Sequence, residues 1–160
     1  MEDLAAYFKK CAVEDMEYFL RLFATVPDDK LNWSPTPTSK SAMRIAAHTA
    51  LYAGRFARMI RERELPGSDN LAERKAKQKA DEIAITTREE VESIFRKGTA
   101  EVVAALDTVP PEDFGKSLDS GFGWSMPMLM LMAMPSSHVS SHTGQIDYLQ
   151  TCWDDQEVHF

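Results

Sequence analysis

Residues 138–146 read HVSSHTGQI, and the two histidines in this stretch are separated by three residues. On an α-helix, residues four positions apart lie one turn apart on the same face, with their Cβ atoms about 5–6 Å from each other. Both imidazole rings can then reach a single ion at about 2.0–2.1 Å. A helix over this stretch would therefore make His138 and His142 candidate metal ligands.

The residues before this pair predict a helix that is apolar on all sides. Residues 126–135 read MPMLMLMAMP and carry no charge. The methionines alternate as in a strand, but Met and Leu are good helix formers and no β-branched residue occurs in this run. We predict a helix in the middle of a bundle, capped at its start by Ser125. Pro135 is expected to kink this helix or to mark its true start.

Three further segments carry apolar residues at helical spacing and end at prolines. The predicted helices run over Asp3–Val26, from Ser39 or Ser41 to the residues before Pro66, and from Thr86 or Thr87 to Pro110. The apolar stripe expected to face the core in the first of them comprises Leu4, Phe8, Cys11, Tyr18, Leu22 and Val26. With the apolar helix, these segments predict an all-α fold, a four-helix bundle in a single domain over residues 1–160.

The connection between the second and third predicted helices is long and basic. It runs from Arg63 to Ile85, with a short exposed helix expected over Leu71–Lys79. A connection of this length can cross the bundle, so the fold is predicted to have a long crossover between helices 2 and 3. Residues 55–79 hold eight basic and four acidic residues, a local net charge of +4. This stretch is either a solvated helix face or a docking patch for an anionic substrate.

His48 lies on the second predicted helix, in the stripe of residues that faces the core. Three imidazoles that face a bundle interior form the smallest three-ligand metal site that leaves a position open for water or substrate. The other interpretation is that each buried histidine is neutral and hydrogen-bonded and that no metal binds. Tyr52, one turn from His48, either lines the open position or is a core aromatic whose hydroxyl has a partner.

Several other chemistries find no support in the sequence. The HExxH motif of zinc peptidases needs a glutamate directly after its first histidine, and Val139 occupies that position here. Gln145 lies on the same helix face as His142, but its side chain is neutral and cannot act as a general base. No glycine-rich phosphate loop and no GxSxG nucleophile elbow occur. His159, close to the C-terminus, is expected to be exposed to solvent rather than to bind a metal.

Composition and charge narrow the class of protein. The 160 residues carry a net charge of −7, which argues against binding to nucleic acid or to an anionic membrane surface. The longest apolar run is too short to cross a bilayer. The N-terminus reads Met1-Glu2-Asp3, whereas a secretory signal opens with basic residues, so a cytoplasmic protein is expected.

Three elements together resemble the DinB/YfiT-like family of metalloenzymes: Ile45-Ala46-Ala47-His48, Gly121-Phe122-Gly123, and the stretch HVSSHTGQI. The resemblance covers nearly the whole chain. It implies a four-helix bundle, often dimeric, in which His48, His138 and His142 hold a divalent metal. Zinc or nickel is expected, with iron or manganese as alternatives, because sites of this kind accept several first-row ions. The better understood members transfer low-molecular-weight thiols to electrophiles or isomerise maleylpyruvate.

The resemblance therefore implies a metal-dependent enzyme that activates a thiol or water nucleophile and is either thiol-transferase-like or hydrolase-like. Its substrate would be a small molecule, such as a low-molecular-weight thiol, and Tyr52 and Gln145 would lie in the substrate pocket. The chain would act as a homodimer with no nucleic-acid or membrane partner. The alternative is a non-catalytic helical protein of the stress response that binds a metal or dimerises.

Overall fold

The structure is a computed structural model that describes residues 4–67 and 69–159. Within these residues the α-helices are α1 (Leu4–Thr25), α2 (Ala42–Glu62), α3 (Leu71–Ala84), α4 (Arg88–Leu106) and α5 (Met128–Thr151). Two short antiparallel strands, β1 (Ser117–Asp119) and β2 (Ser125–Pro127), precede α5, with Leu118 opposite Met126. The predicted helix start at Asp3 and the acidic N-terminus lie outside the described residues.

Helices α1, α2, α4 and α5 pack around a shared core, and α3 packs mainly against α2. Arg63, just after α2, donates a hydrogen bond of 3.1 Å to the Thr108 hydroxyl just after α4, so α2 and α4 run parallel. Arg88, at the start of α4, donates to the carbonyl of Phe23 near the end of α1, so α1 runs antiparallel to both. A parallel pair that is joined through α3 is the crossover predicted from the length of the connection.

Two of the predicted helix starts are confirmed. The Ser41 hydroxyl caps α2 by accepting a hydrogen bond from the backbone N–H of Arg44. Thr87 and Glu90 form a complete capping box at the start of α4. The short helix predicted in the connection is present as α3 and continues to Ala84. No helix in the described residues combines the length and the apolar character needed to cross a bilayer.

The apolar stripe predicted for α1 is partly wrong. Leu4 is 41% exposed, and other members of the stripe are only half-buried. The residues of α1 that are buried are Ala12, Met16, Phe19, Leu22 and Phe23. The buried face of α1 differs from the predicted stripe because the large rings of Phe19 and Phe23 fill the core. Phe19 packs edge to face on Phe95, with their ring centroids 5.6 Å apart.

The start of α5 also differs from the prediction. Ser125 does not cap the helix, because it belongs to β2. The backbone N–H groups of Met128 and Leu129 donate to the carbonyls of Lys116 and Phe114, each at 2.9 Å. These loop carbonyls satisfy donors in the first turn that have no partner within a helix, so no side-chain cap is required.

Helix α5 runs without a break through Pro135, from Met128 to Thr151. Pro135 therefore does not mark the helix start, which was one of the two outcomes that the sequence allowed. A proline within a helix cannot donate to the carbonyl four residues earlier, but the residues on both sides remain helical. His138 and His142 consequently lie on one continuous helix, as their spacing required.

Candidate metal centre

The three histidines that the sequence singled out meet between α2 and α5. The Nε2 atom of His138 lies 3.3 Å from Nε2 of His48 and 3.1 Å from Nε2 of His142. One ring nitrogen from each residue lies within 4.8 Å of the other two, so the group could hold a metal ion. All three residues are half-buried, and the cluster is therefore within reach of solvent.

Hydrogen bonds at the outer nitrogens fix the tautomers of two rings. The Nδ1 atom of His48 lies 2.7 Å from a carboxylate oxygen of Glu82, which can only accept, so Nδ1 carries the proton. The Nδ1 atom of His142 donates to the Gln145 side-chain oxygen at 2.8 Å. The Nε2 atoms of both rings are then bare lone pairs that point into one small space. With the proton of His138 on Nδ1, its Nε2 atom would add a third lone pair, and the group could then hold a cation.

The spacing of these nitrogens also fits a metal ion. Two nitrogens that each lie 2.0–2.1 Å from a tetrahedral ion are separated by about 3.3–3.4 Å. The separations of 3.1 and 3.3 Å around His138 are close to this value. Imidazole nitrogens suit zinc, nickel and iron, so the donor set and two of its three nitrogen separations fit a divalent transition-metal ion.

The histidines are in the form that binds metals. Burial lowers the pKa of His48 to about 4, although the hydrogen bond with Glu82 opposes this shift. Burial, together with the neighbouring His142 and His48, lowers the pKa of His138 to about 3. Burial also lowers the pKa of His142. Because only the neutral ring can donate a lone pair to a metal, all three are ready to bind one at neutral pH.

Glu82 on α3 is the part of the site that the sequence did not reveal. Its side chain is 2% exposed, and it accepts hydrogen bonds from His48, Gln78, Lys40 and Arg44. Burial alone would raise its pKa, but the hydrogen bonds from Gln78, His48 and Lys40 lower it to about 2. Glu82 is therefore an ionised carboxylate, the kind of partner that metal-binding histidines commonly have on their second nitrogen.

The two residues predicted for a substrate pocket both lie at the cluster. The ring of Tyr52 stacks on His138, with centroids 4.7 Å apart, and lies 4.5 Å from the ring of His48. Its hydroxyl donates to the Gln78 side-chain oxygen at 3.2 Å. His159 is half-buried beside Asp155, with 3.0 Å between Nε2 and a carboxylate oxygen, and does not belong to the cluster.

The sequence profile of the DinB superfamily matches residues 13–146. No curated protein matches the chain. Solved structures of similar fold include DinB-like proteins from Bacillus subtilis and Bacillus cereus. The first is 18% identical, with 96% of each chain covered and a TM-score of 0.67, and the second is 17% identical, with 95% of each covered and the same TM-score.

A third similar structure is that of a mycothiol-dependent maleylpyruvate isomerase. It is 12% identical, with 91% of this chain and 63% of the isomerase covered and a TM-score of 0.66. At these levels of identity the three structures show a shared fold.

Proposed function

Because the chain belongs to the DinB superfamily, we propose that it is a metal-dependent enzyme that activates a thiol or water nucleophile. In this proposal His48, His138 and His142 hold a divalent ion, zinc or nickel ahead of iron or manganese. The observation that carries the proposal is the convergence of three Nε2 atoms, two of them with lone pairs fixed by Glu82 and Gln145. The isomerase of similar fold depends on mycothiol, which supports a low-molecular-weight thiol as the substrate.

A divalent ion at this position supplies Lewis acidity, which lowers the pKa of a thiol or a water molecule enough to give a nucleophile at neutral pH. Glu82 holds the Nδ1–H of His48 and thereby fixes the orientation of that ring, as Gln145 does for His142. Since its pKa is about 2, Glu82 is too weak a base to accept a proton at neutral pH. Glu82 is therefore a positioning residue in this proposal.

The surroundings of the cluster favour an anionic substrate. Lys40 and Arg44 both pair with Glu82, so this network keeps a net positive charge. A positive charge close to the site stabilises a thiolate relative to the neutral thiol. The ring of Tyr52 covers one side of His138 and keeps water from that side. We also propose that the chain acts as a homodimer, as the resemblance implies, and that it is cytoplasmic, as expected from its sequence.

Elemental analysis of the purified protein tests the metal. The parent protein is expected to contain about one divalent ion per chain, and His142→Ala to lose most of it while it remains helical. His159→Ala is the matched control, since His159 is a histidine outside the cluster, and it should keep the full metal content. Equal metal in His142→Ala and the parent protein would contradict the proposed ligands.

A thiol-consumption assay tests turnover. Glutathione or cysteine is mixed with an electrophile such as 1-chloro-2,4-dinitrobenzene, with the parent protein or with His142→Ala. The parent protein should accelerate loss of the thiol, and a chelator should abolish the acceleration. Hydrolysis of p-nitrophenyl acetate is followed in a parallel assay. A protein that holds its metal, consumes no thiol and hydrolyses no ester would instead be a non-catalytic metal-binding protein.

A further inference from the structure

A groove of about 730 Å³ lies between α2 and α3, next to the metal centre. This volume is typical of sites that bind small molecules, which range over about 300–1,000 Å³. Its cationic lining residues are Arg55, Arg58, Arg74, Lys75 and Lys77. Its apolar lining includes Leu51, Met59, Leu71 and Phe122. The groove thus offers both positive charge and apolar surface to one ligand.

The two carboxylates in the lining, Asp81 and Glu101, do not neutralise these cations. Asp81 pairs with Lys77 at 3.2 Å and lies 3.9 Å from Arg55, and Arg58 pairs with Glu62 at 3.6 Å. Five cations thus face three carboxylates, Asp81, Glu101 and Glu62. Among the described residues, no ion pair involves Arg74. The groove therefore stays positive on a chain whose net charge is −7. Such a local field attracts small anions that the rest of the surface repels.

The groove and the metal centre share a wall. Tyr52 and Gln78 line the groove, and the guanidinium of Arg55 lies over the Tyr52 ring at 4.7 Å from its centroid. The same two residues also contact the metal centre. Tyr52 stacks on His138, and Gln78 donates a hydrogen bond to Glu82 at 2.9 Å. A ligand in the groove would therefore touch the residues that position the histidines.

We propose that this groove binds an amphipathic organic anion, with a carboxylate or phosphate group held by Arg58 and Arg74 and an apolar body against Met59 and Phe122. The guanidinium group suits such headgroups because its planar fork can make two parallel hydrogen bonds. A free inorganic anion would fill little of this volume and would leave the apolar lining without a partner, so an organic anion fits the groove better. The assignment of this anion as the enzyme's substrate rests on the proposed function, whereas the anion site itself does not.

A fluorescence titration with 1-anilinonaphthalene-8-sulfonate tests the site, because this probe combines an aromatic body with an anionic group. N-phenyl-1-naphthylamine is the same fluorophore without the charge. The variant Arg58→Ala/Arg74→Ala is compared with Arg61→Ala/Lys79→Ala, which removes two charges from the same two helices at positions outside the groove. The groove variant should bind the sulfonate roughly tenfold more weakly, while the control binds it like the parent protein.

The neutral fluorophore should bind the parent protein and both variants alike. Added NaCl should weaken binding of the sulfonate to the parent protein and leave the neutral probe unaffected. Displacement by benzoate and by phenyl phosphate then distinguishes a carboxylate site from a phosphate site. Equal affinity of the two double variants for the sulfonate, or an equal loss for both probes, would overturn the proposal.

A titration of His142→Ala separates this inference from the proposed function. Its groove residues are unchanged, so it should bind the sulfonate as the parent protein does, with or without metal. Loss of sulfonate binding in this variant would overturn the groove as a separate site. A parent protein that binds no metal but shows the charge-dependent binding would refute the proposed function and leave the anion site standing.

Discussion

Helices α5 and α3 both reach the metal centre, but different forces hold them in place. The side chains of α5 contribute to both apolar clusters of the core. Helix α3 is polar, and Glu82 is its one buried residue. Glu82 pairs with Arg44 and His48 on α2 and with Lys40 just before it. Two more exposed contacts between the helices, Tyr52 with Gln78 and Arg55 with Asp81, are also polar. His138 and His142 thus lie on a helix that is built into the core, whereas the helix that contacts His48 through Glu82 is attached from outside.

The comparison teaches that the bundle and the positioning of His48 can be disturbed separately. Damage to the core should unfold the bundle and destroy the metal centre with it. Damage to the contacts of Glu82 should release α3 and weaken metal binding while the four-helix bundle survives.

The largest effect is expected for Gly98→Val, which attacks the bundle. A Cβ atom at this position would lie 2.8 Å from the Ala53 Cβ and 2.9 Å from the backbone nitrogen of Gly54. Because backbone cannot move aside cheaply, the free energy of unfolding should fall by about 3 kcal/mol. Urea denaturation followed by circular dichroism measures it, and a loss below about 0.5 kcal/mol would show that α2 and α4 are not so tightly packed.

Glu82→Ala should have the next largest effect and should act on α3. Loss of a carboxylate that orients a metal-binding histidine typically weakens metal binding about 10–100-fold. Isothermal titration calorimetry with zinc measures this affinity. Hydrogen exchange should become faster in α3 and stay unchanged in α4, because Glu82 is the main buried anchor of α3.

Glu73→Ala is the matched control for this variant, since Glu73 is an exposed glutamate on the same helix. It should bind zinc like the parent protein and leave exchange in α3 unchanged. Equal zinc affinity in Glu82→Ala and Glu73→Ala would show that α3 does not position the ligands.

Acid should destabilise the metal-free protein through the three clustered histidines before it protonates Glu82 on α3. The pKa of His48 is about 4 and that of His138 about 3, whereas unfolded histidines titrate near 6.5. As the pH falls from 6.5 to 4.5, these histidines therefore bind protons in the unfolded chain but not in the folded chain, so the free energy of unfolding decreases. The contribution of Glu82, whose pKa is lowered to about 2, is lost only below pH 4.5.

The melting temperature in the presence of a chelator should therefore drop by several degrees between pH 7 and pH 5. His138→Ala should show a smaller drop, because it lacks the histidine with the lowest pKa. A melting temperature that stays constant or rises over this interval would contradict the lowered pKa values of the half-buried rings.

The smallest effect is expected for Gly54→Ala, at the same helix contact as Gly98. A Cβ atom there would lie 3.6 Å from a carboxylate oxygen of Glu101, which is an ordinary contact distance. Alanine favours the helix over glycine by up to about 1 kcal/mol, so this variant should be as stable as the parent protein or slightly more stable. A loss of unfolding free energy as large as that of Gly98→Val would show that Gly54 is packed as tightly as Gly98.

The cluster of three histidines was predictable because it depends on local periodicity. His138 and His142 lie on one helix, so their spacing alone places both rings on one face. His48 follows from the apolar stripe of α2, which faces the same core. Both arguments need only a regular helix and no knowledge of how distant segments meet.

Glu82 could not be predicted, because its role depends on where the crossover places α3. In the sequence it is one acidic residue among several in a polar helix, next to Asp81, and nothing local distinguishes the two. The start of α5 was missed for a similar reason. Ser125 has the properties of a helix cap, but strand pairing and two distant carbonyl groups decide where the helix begins.

X-ray absorption spectroscopy of the zinc-loaded protein tests the central claim most directly. Three imidazole nitrogens at about 2.0 Å are expected around the ion, with one further light atom in the open position. His142→Ala should lose the bound zinc or show one imidazole fewer, while His159→Ala should give the spectrum of the parent protein. A first shell with fewer than three imidazoles in the parent protein would contradict the claim that His48, His138 and His142 hold one ion together.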